Sequence, residues 1–259
     1  MFKLNPIIIF TVAFLLYGCA SEYNLATKKQ ELIYYTTDKE INIGQAVVKQ
    51  VEREYKLVEE PGAQKRVRDI GQKIVDVCDR KELIYYFKVL DEKELNAFSL
   101  PGGFIYINKG LIDKMTSDDE LAGVLAHEVG HVVAKHAVKK LQAMMGYMLA
   151  RLAGATTGGG DMVQGMDIAF ASILVGYSRE DELLADRLAI RYMQAAGYDP
   201  FKMVYFMQRI YKLDQKKLRP YSYFRTHPST SDRIRVMREE LGLGMDFKDY
   251  INIETEGRI

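Results

Sequence analysis

The sequence is poor in cysteine, in net charge and in long apolar runs, and each shortage excludes something. If Cys19 carries a lipid, as argued below, Cys78 is the last thiol and no intramolecular disulfide can form. Cys78 ends an apolar helical pattern, so we predict a small buried side chain without catalytic neighbours. With 36 basic and 35 acidic side chains, the composition gives no sign of a nucleic-acid partner. The apolar run at the N-terminus, residues 6–16, is too short to cross about 30 Å of hydrocarbon.

The N-terminus has the pattern of a signal segment. Lys3 precedes the apolar run, which ends in Leu16-Tyr17-Gly18-Cys19, a sequence that resembles a bacterial lipobox. We predict a signal peptide over residues 1–18, cleavage before Cys19, and lipidation of that cysteine. An ordinary secretory signal is the alternative, but it needs small residues before its cut site. Ala20 points, by resemblance, to anchoring in the outer membrane of a Gram-negative cell, facing the periplasm. A second anchoring signal is not evident.

The rest of the chain reads as a short tether, residues 19–38, and one domain, residues 39–259. Removing residues 1–18 from the 259 leaves 241, enough for one sizeable core. The pattern is helical from about residue 41 to 58, and again from a Pro-Gly break at 61–62 to residue 79. Residues 83–90 read as a strand and residues 98–107 as a second strand pair or edge, after which helices dominate. There is no internal repeat. The predicted fold class is α+β, mainly helical with a small β-sheet.

The chemistry is concentrated in an H-E-x-x-H motif at His127, Glu128 and His131. Residues four apart share one face of a helix, so the two imidazoles can point at a single ion. Glu128 lies beside them, placed to act on a water bound to that ion. Ser117-Asp118-Asp119-Glu120 has the form of a capping box and predicts the start of this helix. The apolar residues that follow suit a helix buried on more than one side. Two chance histidines on a solvated helix would not explain that burial.

A third ligand is needed, because a catalytic zinc site usually has three protein ligands and one open position. His136 is the nearest histidine, but on a continuous helix it lies about 140° round from His131, so we predict a surface or supporting role. Glu182 follows the good N-cap Ser178 and could complete a His-His-Glu set from a second helix. Asp186, one turn on, could accept the free ring N–H of a ligating histidine. From spacing alone, Glu182 could equally belong to a charged surface helix.

Four segments together resemble the gluzincin family that contains the CAAX prenyl endopeptidase and the HtpX heat-shock protease. They are N-A-F…P-G-G-x-I-Y at residues 96–106, H-E-x-x-H at 127–131, S-R-x-x-E-x-x-A-D at 178–186 and H-P…R-I at 227–234. The segments occur in the family's order and together span residues 96–234, most of the chain after the signal peptide. Within the family, the chain resembles the periplasmic, outer-membrane lipoprotein members (BepA/LoiP type), but without a helical repeat domain.

The resemblance implies a zincin fold with one Zn²⁺ per chain, bound by His127, His131 and Glu182. It also implies Glu128 as general base, Asp186 behind the ligands and His227 in the active site. The implied activity is that of a zinc metalloendopeptidase acting on misfolded or stalled envelope proteins. An alternative from another class is a zinc-stabilised, chaperone-like assembly factor for outer-membrane proteins that cuts rarely. The intact Glu128 favours the enzyme, since a pure binder needs no base there.

Two segments are predicted to shape the cleft. Gly103, Phe104, Ile105 and Tyr106 lie just before the metal helix and read as an exposed edge strand. Such an edge can bind an extended substrate through main-chain hydrogen bonds, although an ordinary sheet strand is compatible with the same pattern. The glycine-rich stretch at residues 154–165 joins the two helices that carry the ligands, and it could be a lid or a plain linker.

His227 is the remaining candidate for catalysis. Pro228 restricts the backbone of His227 to extended conformations and keeps it off the helix that follows. Two roles are physically possible. His227 could bind the zinc as a fourth ligand and switch the enzyme off, or it could donate a hydrogen bond to the oxyanion of the reaction intermediate. A third reading is a histidine that only packs at the surface.

Overall fold

The computed structural model of this chain describes residues 21–154, 176–215, 226–228 and 231–243. Within these ranges an N-terminal β-hairpin precedes a three-stranded sheet and eight helices. The strands are β1 (Ser21–Asn24), β2 (Lys29–Leu32), β3 (Tyr86–Leu90), β4 (Ala97–Leu100) and β5 (Phe104–Asn108). The helices are α1 (Thr37–Glu54), α2 (Pro61–Val75), α3 (Lys109–Ile112), α4 (Asp118–Val133), α5 (His136–Gly154), α6 (Arg179–Ala195), α7 (Pro200–Gln215) and α8 (Ser231–Glu240). The predicted class, α+β and mainly helical, is confirmed.

Helix α4 is the centre of the domain. It packs against α2, α6 and α7 and against strand β4, and every residue from Glu120 to Val133 is buried. Its apolar side chains join the main core, which explains why the sequence is apolar on more than one side of this helix. Cys78 is buried in the same core, as predicted. The metal-binding motif is therefore held on the least exposed helix in the described part of the chain.

Local capping signals in the sequence predict where the helices begin. Ser117 caps α4 by accepting a hydrogen bond from the Glu120 backbone N–H at 3.3 Å. The predicted capping box is only half formed, because the Glu120 carboxylate accepts from Thr116 and pairs with Arg209 instead. Ser178 caps α6 within a full capping box. Helix α1 begins earlier than predicted, at Thr37, because the Thr36 hydroxyl caps it.

The strand order in the sheet corrects one prediction. Strand β5, with Phe104, Ile105 and Tyr106, was expected at an exposed edge, but the order is β3-β5-β4. It pairs with β3 in parallel and with β4 antiparallel, so its main-chain groups are already bonded on both sides. All five of its residues are buried. Strand β4 is the sheet edge that contacts α4, and its four residues are buried as well.

The segment predicted as a tether is structured over part of its length. Within residues 19–38, β1 and β2 form an antiparallel hairpin with Ser21 opposite Leu32 and Asn24 opposite Lys29. The Asn24 side chain donates to the carbonyl oxygen of Ala134, just past the end of α4. The hairpin thus packs against the domain at the junction of α4 and α5. The glycine-rich stretch predicted as a lid or linker lies almost wholly outside the described residues.

We expect Gly44→Ala to destabilise the fold. A Cβ at Gly44, on α1, would lie 1.9 Å from the carbonyl oxygen of Pro101. Relieving that overlap requires moving α1 away from β4, which we expect to lower the free energy of unfolding by about 2 kcal/mol or more. Urea denaturation measures it. The control is Gly62→Ala on α2, where the nearest atom lies at 3.8 Å and a neutral or slightly stabilising effect is expected. Equal stability of both variants would contradict the close packing.

Candidate metal centre

Four side chains from three separate segments converge inside the domain. His127 and His131 come from α4, Glu182 from α6, and His227 from the segment before α8. Each offers one ligand atom, and the four atoms all lie within 4.8 Å of one another. All four residues are buried, with at most 1% of their surface exposed. The structure therefore brings together the three residues that the sequence suggested as ligands, and adds His227 to them.

The distances between these atoms suit a tetrahedral ion. The two Nε2 atoms of His127 and His131 are 3.0 Å apart, and Glu182 Oε1 is 3.3 Å from the second of them. His227 Nδ1 lies 3.0 Å from Glu182 Oε1 and 3.3 Å from His127 Nε2. A zinc ion with bonds of about 2.0–2.1 Å has tetrahedral edges of about 3.3 Å. The set fits such an ion with little rearrangement.

The hydrogen bonds around the cluster determine which ring nitrogens of His127 and His227 carry the hydrogen and which carry a lone pair. His127 Nδ1 lies 2.9 Å from Asp186 Oδ1, and because a carboxylate can only accept, the ring hydrogen belongs on Nδ1. His227 Nε2 lies 3.2 Å from the Ala97 carbonyl oxygen, so its hydrogen belongs on Nε2. The nitrogens that face inward then carry no hydrogen. In the neutral rings, lone pairs that face each other at about 3 Å repel unless a cation or a proton lies between them, so the cluster suits a metal ion.

Asp186 has the position that the sequence suggested for it, behind His127. It is fully buried, and its contact with His127 Nδ1 fixes the tautomer and the orientation of that ring. Burial and Arg233 oppose a positive charge on His127, but the hydrogen bonds to Asp186 and Glu182 outweigh them and raise the pKa of His127 to about 9. His131, where burial dominates, has a pKa lowered to about 3. Without an ion, a proton can therefore occupy the inward-facing nitrogen of His127, and a bound cation would take its place.

Arg233 is the main residue that sequence reasoning missed. Two of its nitrogens lie 2.7 Å from the two oxygens of Asp186, and a third lies 2.9 Å from Glu182 Oε2. It is 1% exposed. Burial alone would raise the pKa of Glu182, but His227 and Arg233 hold it well below its ordinary value. The residue lies in the H-P…R-I segment, yet no local pattern indicates that it reaches carboxylates 47 and 51 positions earlier.

His136 is closer to the site than helix geometry predicted. The prediction that His136 lies at the surface is wrong, and the alternative prediction of a supporting role is the one observed. Helix α4 ends at Val133 and Lys135 has a φ of 57°, so the chain turns before α5 and the angle for a continuous helix does not apply. His136 Nδ1 consequently lies 2.8 Å from His131 Nδ1, and its Nε2 lies 3.2 Å from Asp181 Oδ1. The carboxylate accepts from Nε2–H, so His131 donates to His136 and presents a lone pair at its own Nε2.

Glu128 has unused hydrogen-bonding capacity inside the site. Both of its carboxylate oxygens are buried and accept no hydrogen bond in the described part of the chain. His227 Nε2 lies 3.4 Å from its Oε1. A buried carboxylate without hydrogen bonds is costly, so this one fits a site that takes up a water or a substrate. That is the environment expected of a general base next to a metal.

Tyr177 was also missed by sequence reasoning. Its ring stacks on His131 with 4.1 Å between centroids, and its backbone N–H donates to the carbonyl oxygen of Thr226. Tyr177 and the His227 segment together close the site from the side opposite α4. The cluster is consequently shut off from solvent in this conformation.

Comparison with known proteins agrees with this geometry. The model of peptidase family M48 matches residues 61–241. A putative beta-barrel assembly-enhancing protease of Vibrio cholerae is 26% identical over 218 residues, 79% of this chain and 44% of that protein. Metalloprotease LoiP of Escherichia coli is 31% identical over 159 residues, 60% of this chain and 62% of that one. The mitochondrial metalloendopeptidase OMA1 of Arabidopsis thaliana is 32% identical over 151 residues, 58% and 30% of the two chains.

The chain spans less than half the length of the beta-barrel assembly-enhancing proteases that it matches. The matched family region contains the whole metal cluster and Arg233, together with β4 and β5. Among the helices in the described ranges, none combines the length and the apolar character that crossing a membrane requires.

Proposed function

The chain belongs to peptidase family M48, and from that premise we propose that it is a zinc-dependent metalloendopeptidase of the bacterial cell envelope. One observation carries the proposal. Four buried ligand atoms lie beside a buried carboxylate, Glu128, that accepts no hydrogen bond from the residues that the structure describes. A structural zinc site would use the ligands but would leave Glu128 without a purpose.

The residues divide the chemistry among them. A zinc ion in the cluster would lower the pKa of a water towards about 7 and polarise the scissile carbonyl. Glu128 takes the proton of the attacking water and passes it to the leaving amine. Asp186 and Arg233 keep His127 and Glu182 in position. Proton transfer of this kind typically contributes about 10²–10⁴ to a rate.

His227 acts as a latch in this proposal. Its Nδ1 lies within the ligand set, and its Nε2–H is bonded to the Ala97 carbonyl oxygen on β4. With His227 in place, an ion bound here would have four protein ligands and no open position for a water. The closed conformation is therefore the resting form of the enzyme, and activity requires the segment at residues 226–228 to move.

Strand β4 is the proposed binding edge for substrate. In the described part of the chain, β4 pairs with β5 only, and it contacts α4 next to the metal cluster. An extended peptide can add to such an edge through main-chain hydrogen bonds, which make little demand on sequence. The peptide would compete with His227 for the Ala97 carbonyl oxygen, so substrate binding and release of the latch are coupled. Unfolded or stalled envelope proteins offer extended segments of this kind, and the names of the relatives point to outer-membrane barrels.

Zinc content tests the proposal directly. We expect one tightly held zinc per chain in protein purified without chelator, and its loss in His131→Ala and in Glu182→Gln. The matched control is Glu180→Gln, an exposed carboxylate two residues earlier on α6, which should keep full zinc. Elemental analysis and circular dichroism are measured on the same samples, so that loss of metal is separated from loss of fold. A folded wild type without zinc, or a folded His131→Ala variant with full zinc, would contradict the assignment.

We propose that the protein is anchored by lipid at Cys19 to the outer membrane and faces the periplasm. The lipobox-like sequence supports this, and a substrate of misassembled envelope proteins requires the same compartment. Cys19→Ser should block lipidation and release the protein from the membrane fraction if the signal is still processed. Mass spectrometry of the mature N-terminus is the sharper measurement. An unmodified N-terminus at any residue other than Cys19 would refute the anchor.

A further inference from the structure

In the N-terminal hairpin, polar side chains face the domain and large apolar side chains face solvent, which is the reverse of the usual arrangement. Side chains alternate between the two faces of a strand, and here the polar set, with Glu22, Asn24 and Glu31, faces the domain. On the opposite face of the strands, beside Ser21 and Gln30, two large apolar side chains face solvent, and two more are exposed just beyond the strands. They are Tyr23 (50% exposed) and Leu32 (41%) in the strands, and Leu25 (49%) and Tyr34 (64%) next to them. We call these four side chains the outer face. A solvent-facing strand surface normally carries polar residues, so the outer face requires a partner.

The hairpin is fixed to the domain, so the outer face has a defined orientation. Lys135, itself only 5% exposed, pairs with Glu22 at 2.6 Å, and Lys139 pairs with Glu31 at 2.6 Å. The Gln142 side chain accepts from the Tyr34 backbone N–H and donates to the Leu32 carbonyl oxygen. Ala26 and Ile33, of inward parity, are buried. A loose tether would show neither these contacts nor a consistent alternation.

We propose that the outer face lies in the interfacial region of the lipid bilayer and forms a second, weaker anchor beside the lipid at Cys19. The proposal rests on the proposed lipidation, because Cys19 is two residues before β1 and a two-residue link reaches at most about 7 Å. The lipid therefore holds the hairpin at the membrane surface in every orientation of the domain. Tyrosines prefer the membrane–water interface, and Lys28 in the turn of the hairpin is exposed, as suits anionic headgroups.

The clustering of these residues favours a membrane over scattered surface hydrophobicity. Four of the eleven exposed large hydrophobic side chains in the described ranges fall within residues 23–34. A lipid on Cys19 leaves the domain free to turn at the membrane, whereas the contact of the outer face also orients it, because the hairpin is bonded to the end of α4, the helix that carries His127 and His131.

The absence of tryptophan from the chain makes the test simple, since each substitution creates a single fluorescent reporter. The reporters are Tyr23→Trp and Tyr34→Trp. The matched control is Tyr205→Trp on α7, a tyrosine that is 58% exposed and lies far from the hairpin in sequence. Full-length protein from the membrane fraction is reconstituted into vesicles of phosphatidylethanolamine and phosphatidylglycerol, with and without lipids brominated in the acyl chain.

We expect the two hairpin reporters to show blue-shifted emission and quenching by brominated lipid, while Tyr205→Trp keeps emission typical of water. Emission of Tyr23→Trp that equals the control in protein that floats with the vesicles would overturn the proposal. A blue shift that depends on protein concentration and not on lipid would also overturn it, because a second copy of the chain would then cover the outer face.

Different measurements test the proposed lipid anchor and the proposed hairpin contact, so one proposal can be wrong while the other holds. The mass of the mature N-terminus reports on Cys19 alone. Protein carrying Cys19→Ser should still bind the same vesicles weakly in a flotation assay, and replacing Leu25 and Leu32 with serine should lower that binding by about tenfold. The control is Ile84→Ser, which should leave vesicle binding unchanged because Ile84 is 71% exposed and distant from β1 in sequence. Equal binding by this control and by the variant with serine in place of Leu25 and Leu32 would contradict the hairpin contact.

Discussion

Replacing Glu128 with glutamine should abolish hydrolysis of an unfolded protein while zinc content and fold stay those of the wild type. The amide has the size of the carboxylate but cannot take a proton, and Glu128 is not one of the converging ligands. We expect a fall in rate of about 10²–10⁴ or more, measured with casein or unfolded porin. Loss of zinc in this variant would mean that Glu128 has been assigned the wrong role.

A control separates catalysis from the loss of any buried carboxylate on α4. Glu120 is 2% exposed, lies on the same helix and pairs with Arg209 away from the metal cluster. Glu120→Gln is expected to lower stability but to keep proteolysis at temperatures where it is folded. The comparison also tests the chaperone-like alternative. If wild type and Glu128→Gln prevent aggregation of an outer-membrane protein equally well and neither cleaves it, the zinc site supports binding and the protease proposal fails.

The second large effect is expected at His227. His227→Ala should keep zinc through His127, His131 and Glu182 and raise proteolysis, because removing the latch opens a coordination position for water. A latch worth about 1.4 kcal/mol corresponds to a tenfold rise. A fall of about a hundredfold would instead assign His227 to stabilisation of the transition state. Rates within twofold of the wild type would leave it only a packing role.

Pro228→Ala gives a graded version of the same experiment. Pro228 is exposed and makes no part of the ligand set, but it restricts the backbone of His227. Relaxing that restriction leaves every ligand in place and weakens the latch only through entropy. The effect should therefore have the sign seen in His227→Ala and be smaller. Opposite signs would show that the first variant acted through a disturbed loop.

The sequence predicts those parts of the site that depend on local geometry. His127 and His131 are four residues apart on one helix, and the Ser117 and Ser178 caps mark where the two ligand helices begin. These features follow from chain periodicity alone. Spacing alone could not identify Glu182 as a ligand. Its place beside His127 and His131 depends on how α4 and α6 pack together, and more than fifty residues separate it from His131 in sequence.

The features that were missed depend on contacts between distant segments or on one backbone angle. Arg233 reaches Asp186 across 47 positions, and no pattern in either helix indicates it. The central place of β5 follows from its parallel pairing with β3, which sequence alternation does not specify. His136 reaches His131 only because Lys135 adopts a positive φ, a conformation that a lysine rarely takes.

Arg233 also reduces how far the fold depends on a metal ion. The guanidinium places a permanent positive charge against Glu182 and Asp186 and offsets one of their two negative charges. The domain has an extensive apolar core around α4 and does not depend on a metal to form one. Zinc fingers, by contrast, are unfolded without their ion. We therefore expect that removing the metal with a chelator leaves the fold of this domain in place, as far-UV circular dichroism would show.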